Sequence, residues 1–300
     1  MKKLLIMVVT IVLMCTCSCS NTMNKTLSCN AIVSYTVLLE DNSFHSYRQL
    51  LNTDLTEEIV VKGFENIKNV KFTEEGFYCF GEKAARNYLL FVSDTSTYSF
   101  LLPKDIIEFR EICIYKGLPL FMSVSKKTNH AVFYTVDFSK NKVNTVYETE
   151  EIPQKYIVLS DCIIMCENSL SVNLQSGKSE HEYGLIKIFD GALKNVDSGF
   201  EPVAFGEDAF LYSKTENDSI RTFCYSLKTH TSEPVDIHYI DTTYSLDEFE
   251  PTVYLLSSSE ALYCYDNKLY RLDTENLTKT KIKTFNDKCL VYFYAGVAAQ

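Results

Sequence analysis

The chain has 300 residues, of which 29 are basic and 39 acidic, so its formal net charge is -10. This sign argues against a nucleic-acid partner, because binding to a polyanion requires a basic surface that releases counterions. The hydrophobic fraction of 46% and the charged fraction of 23% exclude a disordered chain and a polytopic membrane protein. The composition therefore predicts a globular body with a sizeable core.

The first residues have the pattern of a secretory signal. Lys2 and Lys3 precede an apolar run from Leu4 to Met14, interrupted only by a threonine and too short to span a bilayer. Cys17 and Cys19 follow just after the run ends. The polar residues after them lack hydrophobic periodicity and predict a short tether.

This arrangement resembles the lipobox of bacterial lipoproteins, in which the signal is cut before a cysteine that becomes diacylated. Cys19, preceded by the small residue Ser18, is the predicted lipidation site. Thr16 stands where that family usually has Leu, and Cys17 is the competing site. The other interpretations are an ordinary signal peptide with incidental cysteines and an N-terminal anchor. The resemblance divides the chain into a signal peptide (1–18), a polar tether (19–28) and a folded domain (29–300).

The folded domain shows an internal repeat of short apolar runs separated by turn residues, which predicts an all-β chain. Each repeat contains a polar residue, then a small residue, then several apolar residues. The spacings between successive small residues are 45, 41, 45, 47 and 52 residues. A period of this length is typical of propeller blades. The small positions are residues 31, 76, 117, 162, 209 and 261.

The ends of the chain predict how the ring closes. A strand starts at each small residue. One strand before it and two after it complete a four-stranded blade. The first unit has only three strands, while Cys289–Tyr294 remains as an extra strand after the sixth unit. We therefore expect the C-terminal strand to pair with the N-terminal unit, which removes an exposed sheet edge. In the long connection from Tyr183 to Gly199, Leu185–Phe189 is predicted as an outer strand.

The period and strand pattern resemble the six-bladed β-propeller lipoproteins and periplasmic propellers of bacteria. The resemblance implies an all-β, six-bladed propeller of four-stranded blades. Neither a WD dipeptide nor a kelch double glycine occurs in the sequence. The resemblance is therefore based on the period and the strand pattern alone. The alternative fold is a pair of β-sandwiches.

Cysteine and histidine positions predict neither disulfides nor a metal site. Cys79 and Cys264 occupy equivalent positions in blades that are not neighbours. Cys162 and Cys166 would lie about 13 Å apart on one strand, beyond disulfide reach. Free buried thiols are therefore expected. No catalytic motif is present, and Asp236 with His238 is interpreted as a strand end rather than a metal site.

The candidate ligand-binding residues lie in two links expected on one propeller face. The long link 238–250 mixes acidic and aromatic side chains, and the link before the third strand of the third unit is basic. Long loops of this kind often carry function. The alternative is a solvated connection without a partner. The candidates are Tyr239, Asp241, Tyr244, Asp247, Glu248, Lys126, Lys127 and His130.

The resulting functional prediction is a lipid-anchored protein of the bacterial cell envelope that faces the periplasm or the extracellular space. One propeller face would bind an unknown protein or small molecule without catalysis, and no cofactor is predicted. The alternatives are an envelope enzyme on the same fold, such as a lyase, hydrolase or lactonase, and a surface-exposed adhesin. Propellers with scattered catalytic residues show no linear motif, so the sequence leaves the enzyme alternative open.

Overall fold

The computed structural model describes residues 32–50, 56–167, 170–172, 179–181, 184–216, 219–239, 252–265, 268–284 and 290–293. These residues form 27 β-strands, arranged as six antiparallel blades and one two-stranded hairpin. No helix in these ranges is long and apolar enough to cross a membrane. The predicted all-β class and the predicted number of blades are both confirmed.

The first three blades follow one another along the chain. Blade 1 contains β1 (Ile32–Leu38), β2 (Phe44–Leu50) and β3 (Thr56–Glu58). Blade 2 contains β4 (Glu65–Thr73), β5 (Gly76–Lys83), β6 (Arg86–Val92) and β7 (Thr97–Leu101). Blade 3 contains β8 (Ile106–Ile107), β9 (Ile112–Tyr115), β10 (Leu118–Ser125), β11 (Ala131–Asp137) and β12 (Lys142–Thr149).

The remaining strands complete the ring. Blade 4 contains β13 (Lys155–Leu159), β14 (Cys162–Glu167), β17 (Leu185–Phe189) and β18 (Leu193–Ser198), with a hairpin of β15 (Leu170–Val172) and β16 (Ser179–His181) between its second and third strands. Blade 5 contains β19 (Phe200–Ala204), β20 (Ala209–Glu216), β21 (Ser219–Ser226) and β22 (Thr231–Val235). Blade 6 contains β23 (Thr252–Leu255), β24 (Glu260–Tyr265), β25 (Lys268–Asp273) and β26 (Lys279–Thr284), and β27 (Leu290–Phe293) follows.

Two details of the strand prediction are corrected. Leu185–Phe189 is not an outer strand: β17 pairs with β14 on one side and with β18 on the other, so β18 is the outer strand of blade 4. The inner strand of blade 3 is interrupted, because β8 and β9 both pair with β10. Glu108, between them, has a φ of 54°, and a left-handed residue of this kind breaks a regular strand.

The repeated small residue lies at or next to the start of the second strand of a blade, and at Gly76 the space for a side chain is limited. Gly76 opens β5 with a φ of 153°, and a Cβ atom there would lie 2.1 Å from the carbonyl oxygen of Val92. A side chain at this position would collide with the end of the third strand. Cys162 and Ala209 open the second strands of blades 4 and 5 in the same way.

The hydrophobic core lies between neighbouring blades rather than at one centre. Met122 and Phe133 of blade 3 pack with Ile163 and Met165 of blade 4, and all four are fully buried. Similar clusters join blades 2 and 3, blades 4 and 5, and blades 5 and 6. Each blade buries its two faces against its two neighbours, so the first and last blades need a closed ring to cover both faces.

The cysteines agree with the prediction of free thiols wherever their side chains are described. Cys79, Cys113, Cys162, Cys166 and Cys224 are all free. Burial raises the pKa of the Cys113 thiol to about 12, so this group stays protonated and behaves as a small hydrophobic side chain. The lipidation candidate Cys19 lies outside the described residues.

The C-terminal strand closes the ring, as the sequence predicts. β27 pairs antiparallel with β1, placing Tyr35 opposite Phe293 and Leu38 opposite Leu290. The sheet order is β27, β1, β2, β3, so the last strand of the chain is the inner strand of blade 1. Polar contacts also join blade 6 to blade 1. Lys283 Nζ lies 3.4 Å from Gln49 Oε1 and 3.1 Å from Thr56 Oγ1.

Deletion of residues 288–300 is expected to unfold or aggregate the protein. The deletion removes the pairing partner of β1 and leaves an open sheet edge in the middle of a blade. Each lost hydrogen bond contributes about 0.5–1.5 kcal/mol, and the total stability of a domain is only about 5–15 kcal/mol. Thermal melting and size-exclusion chromatography provide the measurement, with deletion of residues 295–300 as the control. A monomer with an unchanged melting temperature would show that β27 is dispensable.

Candidate functional site

Alternation of strand direction divides the loops between two faces of the propeller. The strands of each blade are antiparallel neighbours, so the link from the second to the third strand and the link to the next blade open on the same side. We call this side the upper face. Its links include 39–43, 59–64, 126–130 and 150–154. The lower face carries the tight turns within blades, such as 74–75 and 116–117.

Both ends of the described chain lie on the lower face. β1 is the second strand of blade 1 and starts at Ile32 on this side. β27 is the inner strand of the same blade and ends there at Phe293. The segment that precedes Ile32 therefore joins the propeller on the side opposite the long links.

The predicted basic residues lie in an ordered link of the upper face. Lys126 and Lys127 are exposed. The backbone N–H of Lys126 donates to the carbonyl of Asp105 over 3.2 Å, which ties this link to the one between blades 2 and 3. His130 Nδ1 lies 3.0 Å from Glu148 Oε1. The backbone of this link and the His130 ring are thus anchored, and the side chains of Lys126 and Lys127 lie exposed on the surface.

Tyr239 belongs to the core rather than to an exposed binding surface. Its side chain is completely buried, and its hydroxyl donates a 2.7 Å hydrogen bond to the backbone carbonyl of Glu201. Glu201 has a φ of 53° and lies at a bulge in the inner strand of blade 5. The mixture of acidic and aromatic residues around Tyr239 does not indicate this role. Asp241, Tyr244, Asp247 and Glu248 lie outside the described residues.

A cleft of about 370 Å³ opens beside the start of the long link, at the upper end of blade 5. Its charged lining combines Arg221 of β21 with Asp236 and His238, which follow β22. His238 Nε2 lies 3.3 Å from Asp236 Oδ1, and Arg221 Nη1 lies 3.5 Å from Glu216 Oε2. In the described part of the chain, no three His, Cys, Asp or Glu side chains converge to hold a metal ion. The described lining of the cleft thus offers hydrogen-bond donors and acceptors together with charge.

Charged residues of opposite sign alternate around the axis of the propeller. Lys71, Glu111, Lys155 and Glu201 come from the inner strands, or the residues just before them, of four consecutive blades. Lys155 Nζ lies 2.5 Å from Glu201 Oε2. Burial raises the pKa of the Glu111 carboxyl, while Lys71 and Lys155 act against this shift. This group is not apparent from the sequence, because spacing alone does not show which inner-strand residues face one another across blades.

The fold and its topology define the class of the protein as a closed six-bladed β-propeller. No protein-family model and no curated protein matches the sequence. Solved propellers do match its structure. TolB from Acinetobacter baumannii aligns with a TM-score of 0.55 at 13% identity, over 93% of this chain and 66% of the TolB chain.

Two further structures illustrate the range of similar proteins. An oligogalacturonate lyase from Vibrio parahaemolyticus aligns with a TM-score of 0.54 at 11% identity, over 86% of this chain and 80% of that chain. The β-propeller domain of the Trilobed protease from Pyrococcus furiosus aligns with a TM-score of 0.50 at 14% identity, over 81% and 79%. That domain is described as having an open velcro topology. At these identities the similarity establishes the fold alone.

Replacing Tyr239 by Phe is expected to destabilise the protein without changing its fold. The change removes the hydroxyl that donates to the Glu201 carbonyl, and an unpaired buried acceptor costs about 1–3 kcal/mol. Urea unfolding measures the difference. Tyr98→Phe is the matched control, because Tyr98 is 54% exposed on an outer strand. Equal stability of the two variants would contradict a structural role for Tyr239.

Proposed function

We propose that this protein is a lipid-anchored binding module of a bacterial cell envelope, attached through Cys19 and presenting the upper face of its propeller to a ligand or partner protein. The observation that carries the proposal is the position of the chain ends. The N-terminal segment joins the lower face at Ile32, so an anchor in that segment leaves the upper face, with its long links, directed away from the membrane.

The length of the proposed tether is compatible with this orientation. Twelve residues lie between Cys19 and Ile32, which allows a reach of at most about 45 Å at full extension. The spacing is enough to keep the propeller clear of lipid headgroups. Two acyl chains hold a protein on a membrane far more firmly than one, so the anchor needs no basic surface on a chain of net charge -10.

The proposal of binding without catalysis is supported by the composition of the upper face. Exposed apolar side chains occur in its links, namely Leu39, Val60 and Ile152, and the same face carries the exposed charged residues Lys126 and Lys127. Mixed apolar and charged surfaces of this kind suit recognition of a partner. The alternatives remain an envelope enzyme and a surface adhesin. An adhesin differs in being accessible to protease added to intact cells.

Replacing Cys19 by Ser is expected to abolish acyl labelling and to release the protein from the membrane fraction. The thiol of this residue is the proposed attachment point for the lipid, and Ser offers no thiol to modify. Metabolic labelling with a fatty acid and membrane fractionation provide the measurements. Cys17→Ser is the control and keeps both label and membrane attachment. If only Cys17→Ser removes the label, the lipid is on Cys17 and the Cys19 assignment is wrong.

A further inference from the structure

Three charged side chains meet at the upper face between blades 3 and 4. Glu167 is the last residue of β14, Lys187 lies in β17, and Glu151 lies in the link 150–154 from blade 3. We call this group the Glu151–Glu167 notch. Lys187 Nζ contacts Glu167 Oε2 and lies 3.7 Å from Glu151 Oε2. The notch thus contains two anions and one cation.

The strand register of blade 4 brings the members of the notch together. Lys187 is opposite Met165, and Glu167 is opposite Leu185, so Glu167 and Lys187 are diagonal neighbours on one side of the sheet. Met165 on that side packs against blade 3. The link is fixed along β14 by a 3.0 Å hydrogen bond from the backbone N–H of Gln154 to the carbonyl of Cys166. Glu151 is therefore held above the pair.

Glu167 carries an oxygen that lacks a partner. Its side chain is 2% exposed, and its Oε1 atom is buried with no hydrogen-bond donor in the described part of the chain. The Glu151 carboxylate lies within hydrogen-bonding reach, but two carboxylates are both acceptors. A buried acceptor in this situation is costly unless a donor fills the gap. The gap between the two carboxylates therefore requires a proton or a cation.

The pKa values of the two carboxyl groups in the notch are shifted in opposite directions. Burial and the neighbouring Glu151 raise the pKa of Glu167, against the opposite effect of Lys187. The pKa of Glu151 is lowered, mainly through its interaction with Glu167. The other titratable group nearby is Tyr147 of β12, which faces Lys187. A single proton held by Glu167 and shared with Glu151 accounts for the opposite directions of the shifts when no ligand is bound.

We propose that the notch binds the primary ammonium group of a small aliphatic amine, whose N–H groups donate to Glu167 Oε1 and to the Glu151 carboxylate. One added cation balances the two anions and one cation already present. The opening lies on the side of Glu151, which is 66% exposed. The next residue, Ile152, is 38% exposed and offers an apolar surface for the carbon chain of the ligand.

An ammonium group suits the notch better than a metal ion. Divalent cations take several oxygen ligands, whereas only two carboxylates meet here and no third metal-binding side chain joins them in the described ranges. An alkylammonium supplies three donors and needs only the two acceptors that the notch provides.

The proposal of amine binding uses one part of the proposed function, namely that ligands bind on the upper face. The two can fail separately. Amine binding is measured on the purified full-length protein and does not depend on acylation of Cys19. Conversely, membrane release of the Cys19→Ser variant does not depend on the notch.

Isothermal titration calorimetry with pentylamine tests the proposal, with pentanol as the ligand control of the same chain length. The wild-type protein is expected to bind pentylamine and not pentanol. Glu167→Gln and Glu151→Gln are each expected to weaken binding by about tenfold or more, because each removes a charge-assisted acceptor. Glu150→Gln, an exposed change in the same link, is the matched control and leaves binding unchanged. Lowering the pH also weakens binding as Glu167 takes up a proton, and because its pKa is raised this loss begins at a higher pH than for an ordinary carboxyl group.

Several outcomes would overturn the proposal. Absence of pentylamine binding by the wild-type protein would mean that a proton alone fills the gap. Equal weakening by Glu150→Gln would indicate nonspecific attraction to an acidic surface. Binding of Mg²⁺ that is lost in the same variants would identify a metal site instead. Melting curves of all variants verify that they are folded. If Glu167→Gln does not fold, the binding measured with Glu151→Gln decides the outcome.

Discussion

The pairing of β27 with β1 is the contact on which the rest of the structure depends. Four residues at one end of the chain meet four at the other, and this completes the inner strand of blade 1. Because the core is distributed between blades, an open ring would leave the two blades at the break each with one uncovered face. The same pairing places both chain ends on the lower face and so decides which side of the propeller is free to bind.

Between blades, polar side chains supply hydrogen bonds that the irregular inner strands lack. Ser34 Oγ of blade 1 donates to the carbonyl of Val70 in blade 2 over 3.0 Å. Asn69 donates to the carbonyls of Phe109 and Arg110 over 3.0 and 3.1 Å, and the Tyr156 hydroxyl of blade 4 donates to the carbonyl of Glu111. These buried bonds fix the rotation of one blade against the next, because an unpaired carbonyl at the axis would be costly.

The sequence predicted what depends on local spacing and missed what depends on register. The period of small residues has a steric cause at Gly76, so it is visible without a structure, and the count of strands at the two ends predicted the closure. Tyr239 was misassigned because its place in a link said nothing about burial. Glu151, Glu167 and Lys187 are separated by 16 and 20 residues and meet only through pairing of β14 with β17 across an inserted hairpin.

Hydrogen exchange of the intact protein tests the closed ring most directly. In a closed ring Tyr35–Leu38 of β1 are paired on both sides, with β2 and with β27. Their amides are therefore expected to exchange as slowly as those of Ile163–Cys166 in β14, which are also paired on both sides. β27 is the edge strand of blade 1 and pairs only with β1, so only those amides of Leu290–Phe293 that point toward β1 are expected to share this protection. Rapid exchange of Leu290–Phe293 together with alternate amides of β1 would mean that β1 is an edge strand. The ring would then be open, and closure by β27 would be contradicted.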